Sequence, residues 1–421
     1  MTSELRYDEA YVWMWLPGKT DPVVAGRMER LRDGRLLFNY GRSYLARNGA
    51  ISIYEPELPL QPGEMRPRAN MHMPSCIRDA SPDAWGRRVI INRTMGLKGR
   101  DADTIDLDEL TYLMESGSDR IGALDFQASA TEYVARARQD ATLDELIQSA
   151  ERVEKGAPLS PDLDLALQHG TSLGGARPKA LIEDGDRKLI AKFSASGDLY
   201  NVVKAEFVAM RLAREVGLDV ANVSLTSGLG KDVLLIERFD RSRVKQGWAR
   251  RAMVSALTIL ELDETEARYA SYEDLATSIR HRFTDPTQTL EELFGRVVFN
   301  ILSGNTDDHA RNHAAFWDGR MLSLTPAYDI CPQGRTGGEA SQAMLITGSK
   351  RLSQVTVCLE AAAHFLLSAE RAKAIIEAQL AVIEAQWSAV CDEAGLTEVD
   401  RRFLWGRQFL NPYALEGWAA A

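Results

Sequence analysis

The feature that most constrains the fold is a change of pattern near residue 240. Before it, short apolar runs at 11–16, 35–41 and 51–56 end at or beside glycine or proline, as strands followed by turns do. Beyond it, apolar residues recur at helical spacing. One apolar stripe stops at Gly304 and consists of Leu290, Phe294, Val297, Val298 and Ile301. The sequence therefore predicts an α+β protein with a strand-rich first half and a mostly helical second half.

The same patterns predict individual elements. Strands are expected at 179–184, 188–194 and 232–239, and AAFW and LSL between Asn312 and Asp329 should form a hairpin. Helices are expected at 81–96, 142–153 and 201–216. The first of these helices would begin with Ser81 as its N-cap, and the last would end at Gly217.

Composition describes an ordinary globular protein and excludes several functions. Hydrophobic residues make up 45% and charged residues 26% of the 421 residues, which excludes a disordered or collagen-like chain. The net charge of −10 argues against nucleic-acid binding over the whole surface but permits a local basic cleft for a phosphate group. Four widely spaced cysteines fit neither a zinc cage nor a disulfide framework. Without a secretory or membrane-spanning pattern, we expect a soluble cytoplasmic protein.

The stretch TSLGGARPKA at 171–180 is the first of three candidate sites. Adjacent Gly174 and Gly175 would let backbone N–H groups approach a phosphate closely, and concave turns of this kind bind anions. The stretch is not a Walker A motif, because Ala176 stands where that motif requires lysine. A tight turn that binds nothing is the alternative.

The second candidate is Lys192, which lies within the apolar strand LIAKFS. A lysine there is costly unless its ammonium meets a negative partner, and either an ATP phosphate or Glu206 on the next helix would serve. Protein kinases pair such a lysine with a helix glutamate to hold the α- and β-phosphates. The alternative is a lysine that reaches solvent from an edge strand.

The third candidate is GNTDDHARNHAAF at 304–316. Asp307 and Asn312 have the D-x-x-x-x-N spacing of a kinase catalytic loop, in which aspartate accepts the hydroxyl proton and asparagine holds Mg²⁺. Asp329 follows where a hairpin would deliver a second carboxylate, and Mg²⁺ prefers such hard oxygen ligands. His309 and His313 have the spacing of a zinc pair, but no third ligand is obvious.

These motifs stand in the order found in kinases, and together they resemble the HipA kinases of type II toxin–antitoxin modules over nearly the whole chain. SLGGARPKA is similar to the family's serine-containing glycine-rich loop, NTDDHARN to its catalytic loop, and TPAYDI to its metal-binding segment. ERFDR at 237–241 resembles its hinge strand. SPDAWGRR at 81–88 and SDRIGALDF at 118–126 resemble motifs of its N-terminal subdomain.

The resemblance implies a bilobal protein-kinase-like fold, related to that of phosphoinositide kinases. It implies an N-terminal HipA subdomain at 1–135, a kinase N-lobe at 136–240 and a helical C-lobe at 241–421. ATP and Mg²⁺ would be its cofactors. Because the metal aspartate lies in YDI rather than DFG, an activation loop of the usual protein-kinase kind is not assumed.

The resemblance also implies roles for individual residues. Asp307 would be the base, since its spacing to Asn312 and its neighbour His309 favour it over Asp308. Ser172 would be the autophosphorylated serine whose modification ejects the loop from the ATP site and silences the enzyme. The implied ligand contacts are Gly174, Gly175 and Lys192 for phosphates, Glu237 and Phe239 for adenine through the backbone, His309 beside the nucleotide, and Asn312 and Asp329 for Mg²⁺.

Family membership would bring partners as well. The resemblance implies a small HipB-like helix-turn-helix antitoxin, with operator DNA bound mainly through it, and the net charge of −10 agrees with that arrangement. It implies a protein substrate, an aminoacyl-tRNA synthetase such as glutamyl-tRNA synthetase, whose phosphorylation halts translation.

Two other functions compete with a protein kinase. A small-molecule or lipid kinase is one, because D-x-H-x-x-N is similar to the catalytic loop of phosphoinositide kinases; no basic amphipathic surface supports it. The other is an inactive kinase fold that acts as a transcriptional corepressor with its antitoxin. The complete set of Lys192, Asp307, Asn312 and Asp329 argues against that function.

Overall fold

The computed structural model describes residues 6–95, 107–136, 141–155, 157, 177–195, 197–335 and 337–418. The chain forms two compact units, each assembled from several segments. The first unit comprises Met1–Gly197, Thr226–Val254 and Trp317–Arg320, and the second comprises Asp198–Leu225, Ser255–Phe316 and Met321–Ala421. Among the described helices, none has the length and hydropathy of a membrane-spanning segment.

The first unit opens with a four-stranded antiparallel sheet in the order β3-β2-β1-β4. Its strands are β1 (Glu9–Met14), β2 (Val23–Arg30), β3 (Leu36–Tyr40) and β4 (Leu124–Gln127). The described residues between β3 and β4 form four helices: α1 (Arg42–Leu45), α2 (Ser75–Arg78), α3 (Ala84–Met95) and α4 (Glu109–Glu115).

A second four-stranded sheet follows helix α5 (Leu143–Glu154) and has the order β5-β6-β8-β7. Its strands are β5 (Lys179–Asp184), β6 (Arg187–Phe193), β7 (Val223–Gly228) and β8 (Lys231–Glu237). The hairpin of β9 (Arg241–Val244) and β10 (Gly247–Arg250) comes directly after β8.

One face of this second sheet is covered by α3 and α5. Trp85 of α3 and Ile147 of α5 belong to the same apolar cluster as Ala191 and Phe193 of β6. The indole N–H of Trp85 also donates to the carbonyl oxygen of Lys179 at 3.2 Å. Since successive side chains of a strand point to opposite faces, the lysines of β5 and β6 that alternate with these core residues point to the other face of the sheet.

The second unit is mostly helical. Its helices are α6 (Val202–Glu215), α7 (Ala256–Ile259), α8 (Tyr272–Arg282), α9 (Pro286–Ser303), α10 (Val355–Ala361), α11 (Ala369–Glu393) and α12 (Glu398–Leu404). The remaining strands in the described part of the chain are β11 (Met253–Ser255), β12 (Ala314–Trp317) and β13 (Leu322–Leu324). Short 3₁₀ turns occupy Glu264–Tyr269, Ala310–Asn312, Ala362–Phe365 and Pro412–Leu415.

Helix α9 is the central helix of the second unit, and its two ends are fixed. Pro286 stands at its first turn, and the Asp285 side chain accepts a hydrogen bond from the backbone N–H of Gln288 at 3.3 Å. At the other end, Gly304 adopts a left-handed φ of 73°. A Cβ added there would lie 2.6 Å from the carbonyl oxygen of Gln408, so only glycine fits.

Most of the elements predicted from sequence are confirmed, with three differences. The run at 51–56 is not a strand and shows only an isolated bridge between Tyr54 and Leu58. The helix predicted from Ser81 begins at Ala84, because the Ser81 hydroxyl donates to Glu109 at 3.1 Å instead of capping the helix. Strand β2 was not predicted, and neither were β4, β7, β9, β10 and β11.

Candidate active site

The predicted catalytic loop begins where α9 ends and is fixed by backbone contacts on both sides. After Gly304, Asn305 turns back on the helix: its backbone N–H donates to the Asn300 carbonyl at 2.8 Å, and its side-chain amide donates to the Asn300 side chain at 2.9 Å. On the other side, the N–H of Ala343 donates to the Thr306 carbonyl at 3.1 Å. The start of the loop therefore has one defined backbone path.

The loop then closes a tight turn that brings Asp307 and Asn312 together. The backbone N–H of His309 donates to the Asp307 carbonyl at 2.9 Å, and the N–H of Asn312 donates to the His309 carbonyl at 2.8 Å. The Asn312 side-chain amide donates to the same Asp307 carbonyl at 3.2 Å. This leaves the amide oxygen of Asn312 as the atom that can serve a ligand.

The Asp307 side chain is exposed to solvent, unlike its neighbour Asp308. Partial burial against the loop raises the pKa of the Asp307 carboxyl above its ordinary value. The electrostatic interaction with His309 lowers this pKa, and the negative charges of Asp329 and Asp308 raise it further. A carboxylate with a raised pKa that can be reached from solvent is a candidate proton acceptor.

Asp329 lies on a segment that is held by hydrogen bonds within the second unit. The backbone N–H of Thr325 donates to the Ala314 carbonyl at 3.0 Å, and the Tyr328 hydroxyl donates to the Arg311 carbonyl at 2.7 Å. Asp329 itself has a left-handed φ of 60°, which is uncommon for a residue other than glycine. Backbone strain of this kind gathers at functional sites, where surrounding contacts hold it in place.

Asp308 is buried beneath the loop and has three hydrogen-bond partners. Its Oδ2 accepts a hydrogen bond from the Tyr272 hydroxyl and another from the Asn300 amide at 2.7 Å, and it lies 2.9 Å from Nε2 of His313. Burial alone would raise the pKa of Asp308, but the charge of His313 and the hydrogen bonds from His313 and Tyr272 lower it.

The two adjacent aspartates therefore have different environments. Asp308 holds the loop against α8 and α9, whereas the Asp307 carboxylate is exposed. Sequence reasoning missed the structural role of Asp308. Its partner Tyr272 lies 36 positions away in the chain, so local spacing carries no sign of the contact.

The donor set of the loop fits Mg²⁺ better than zinc. Among the described residues, no three His, Cys, Asp or Glu side chains gather as a protein metal cage requires. Nε2 of His313 already contacts Asp308, so the zinc pair suggested by spacing is not formed. Asp329 and Asn312 instead offer one carboxylate and one amide oxygen, which suits an ion that takes most of its ligands from phosphate and water.

In the first unit, Lys192 is buried on β6, with 8% of its surface exposed. Its cross-strand neighbour on β5 is Lys179, which is 5% exposed. Residues directly opposite each other in an antiparallel pair point to the same face, so two ammonium groups share this face of the sheet. Sequence reasoning missed Lys179, although its place at the end of the glycine-rich stretch was visible.

Glu237 and Phe239 lie at the end of β8, also in the first unit, and both are half-buried. Arg238 and Asp240 alternate with them and are buried. Of the other predicted site residues, Ser172, Gly174 and Gly175 lie outside the described residues.

Comparison with known proteins identifies the family. The family model for the HipA-like C-terminal domain matches residues 171–387, which is more than half of the chain, and the model for the HipA N-terminal domain matches residues 16–127. The chain belongs to the HipA family. The first match contains the predicted catalytic loop and the strands of the second sheet, and the second contains most of the first sheet.

Curated relatives of this HipA-family chain carry kinase names. "Putative kinase Y4mE" of Sinorhizobium fredii is 25% identical over 342 residues, which cover 75% of this chain and 76% of that protein. "Serine/threonine-protein kinase toxin HipA" of Shewanella oneidensis is 26% identical over 183 residues, which cover 38% of this chain and 42% of that protein.

A solved structure shares the HipA-family fold along nearly the whole chain. It is the Shewanella oneidensis MR-1 toxin–antitoxin complex of HipA, HipB and operator DNA, and the match has a TM-score of 0.68 at 17% identity. The match covers 97% of both chains. This likeness confirms the predicted α+β fold class, with a strand-rich N-terminal part and a helical C-terminal part.

Proposed function

We propose that this HipA-family chain is an ATP-dependent serine/threonine protein kinase and the toxin of a HipBA-type toxin–antitoxin system. The observation that carries the proposal is the contrast between Asp307 and Asp308. The hydrogen bonds of the loop fix the backbone of Asp307 and leave its carboxylate accessible beside Asn312 and Asp329. The Asp308 carboxylate is instead buried and contacts His313. The kinase names of two relatives support the same reaction.

In the proposed reaction, Asp307 orients the acceptor hydroxyl and accepts its proton. The hydroxyl oxygen forms a bond to the γ-phosphorus as the bond from that phosphorus to the β–γ bridging oxygen breaks, which releases ADP. Asn312 and Asp329 would hold Mg²⁺, which offsets negative charge on the phosphates when bound. The acceptor would be a serine or threonine of a protein.

Two buried lysines support the proposal that the first unit binds a polyphosphate. Lys179 and Lys192 lie directly opposite each other and point to the same face of the sheet, so two positive charges stand together where a triphosphate could contact both. We assign phosphate contacts to these lysines and to Gly174 and Gly175. Adenine contacts would come from the backbone of Glu237 and Phe239, with His309 beside the nucleotide.

The proposed cellular role includes a partner and a target. The related HipA of Shewanella oneidensis was solved with HipB and operator DNA. By analogy, we propose a small helix-turn-helix antitoxin for this chain, with operator DNA bound mainly through it. The proposed target is an aminoacyl-tRNA synthetase in the cytoplasm, and phosphorylation of Ser172 would silence the kinase.

Nucleotide binding can be tested with Lys192→Met. A hydrogen bond to a charged group is worth about 1.5–3 kcal/mol, so this change should raise the Kd for ATP about tenfold to hundredfold. The measurement is equilibrium binding of a fluorescent ATP analogue with Mg²⁺. Lys188→Met is the matched control, because Lys188 lies on the same strand and pairs with Glu183. Equal ATP affinity in both variants would remove Lys192 from the nucleotide site.

A further inference from the structure

An ionic cluster, buried except at Asp119, links the end of β8 to a loop of the N-terminal HipA domain within the first unit. We call Asp119, Arg238, Asp240 and Arg241 the hinge clamp. Asp119 belongs to the loop at 118–122, and the other three follow the last residues of β8. The proposed nucleotide mechanism assigns no role to any of them.

The charges of the hinge clamp are paired in a closed arrangement. Asp119 lies 3.0 Å from a guanidinium nitrogen of Arg238 and 2.8 Å from one of Arg241. Asp240 lies 2.8 Å from each of the same two arginines. Two carboxylates thus share two guanidinium groups, and both arginine side chains are almost completely buried.

The hinge clamp also holds the backbone of the loop. Arg238 donates to the carbonyl of Arg120 at 2.6 Å, and Arg241 donates to the carbonyl of Gly122 at 3.0 Å. In return, the N–H of Gly122 donates to the Asp240 carboxylate at 2.8 Å. Side chains that follow β8 therefore make hydrogen bonds with backbone C=O and N–H groups of the N-terminal domain.

The loop also has contacts that do not involve the four residues of the hinge clamp. The buried Arg120 next to Asp119 donates to Asp125 of β4 at 2.9 Å and to the carbonyl of Ala80 at 3.1 Å. Arg250 donates to the Ser118 carbonyl at 2.9 Å. The loop is thus tied to the first sheet independently of the hinge clamp.

Alternating burial in the segment that follows β8 connects the hinge clamp to the proposed nucleotide site. Arg238 and Asp240 are buried, whereas Glu237 and Phe239 are half-buried, and the contacts of the clamp fix the backbone between them. We infer that the hinge clamp is a positioning device through which the N-terminal domain holds Glu237–Phe239 in the conformation that binds adenine. This inference rests on the proposed function, because it requires ATP to bind at that segment.

Removing one carboxylate leaves two buried arginines sharing a single partner, which releases the constraint on the hinge. Asp119→Asn should raise the Kd and KM for ATP about tenfold or more, because small displacements of binding groups are costly, while kcat at saturating ATP stays within about twofold. Hydrogen exchange at the amides of 237–240, measured without nucleotide, should become faster. Asp119→Glu should restore much of the affinity.

Two further variants make the test specific. Asp186→Asn is the control, because it removes an exposed carboxylate that pairs with Arg243 in the same unit. Arg241→Lys keeps the charge but loses the forked contact, and it tests the same point if Asp119→Asn does not fold.

The outcomes separate the inference from the proposed function. A parent chain that binds no ATP would overturn both. A parent that binds ATP, together with a folded Asp119→Asn or Arg241→Lys variant of equal ATP affinity, would overturn the hinge clamp alone.

Discussion

Replacing Asp307 with asparagine should lower the rate of phosphoryl transfer by about 10³-fold or more and leave the Kd for ATP nearly unchanged. The amide keeps the size of the side chain but cannot accept the hydroxyl proton. Because the Asp307 side chain is exposed to solvent, the thermal midpoint of the variant should match that of the parent. The measurements are single-turnover transfer from radiolabelled ATP and equilibrium nucleotide binding.

Asp308→Asn is the matched control for this experiment, since it makes the same change one position further on. Asp308 sits between Tyr272, Asn300 and His313, so losing its charge should lower the free energy of unfolding by about 2–4 kcal/mol. If Asp308→Asn instead abolished transfer with unchanged stability, and Asp307→Asn remained active, the two roles would have to be exchanged.

Gly304→Ala should be strongly destabilising, because two separate costs add at this position. The left-handed φ of 73° costs about 1 kcal/mol for a residue with a Cβ. The new methyl would also lie 2.6 Å from the Gln408 carbonyl oxygen, a backbone atom that cannot rotate away. We expect the free energy of unfolding to fall by about 2–4 kcal/mol in urea denaturation.

Gly406→Ala separates the two costs. Gly406 has nearly the same φ, 75°, but a Cβ there would meet nothing within 4 Å. It should therefore cost only about 1 kcal/mol. Equal effects of the two changes would show that the contact with Gln408 does not constrain the end of α9.

Local patterns predicted much of the fold. Helix α6 follows from the spacing of its apolar residues, and Asn201 is its N-cap: the Asn201 side chain accepts a hydrogen bond from the N–H of Lys204 at 3.0 Å. Helix α9 ends at Gly304 as its apolar stripe indicated. In these two helices, the residues that mark the boundary in the sequence also make the capping contacts in the structure, so the local sequence is enough to locate the helix end.

Elements set by distant contacts could not be predicted. Strand β2 contains Gly26 and several charged residues, and it is a strand because it pairs with both β1 and β3. Ser81 has the character of an N-cap, yet its hydroxyl reaches Glu109 instead. Tertiary pairing overrides local propensity in both places.

The candidate site also combines features that the local sequence predicted with features that depend on distant contacts. The spacing of Asp307 and Asn312 predicted that they meet, because a short turn controls their contact. Neither the burial of Asp308 nor the pairing of Lys179 with Lys192 could be predicted, since each depends on a partner from another element. The hinge clamp could not be predicted for the same reason, because Asp119 lies about 120 positions before the arginines that it contacts.

The most direct test of the proposed kinase activity is the intact mass of the purified protein after incubation with MgATP. The protein should first be shown to be unmodified and to bind ATP, and Asp307→Asn should be treated in parallel. The parent should gain one phosphate, located at Ser172 by peptide mapping, and the variant should gain none. A parent that binds ATP yet gains no phosphate, or a variant that gains it equally, would overturn the proposed self-phosphorylation with Asp307 as the base.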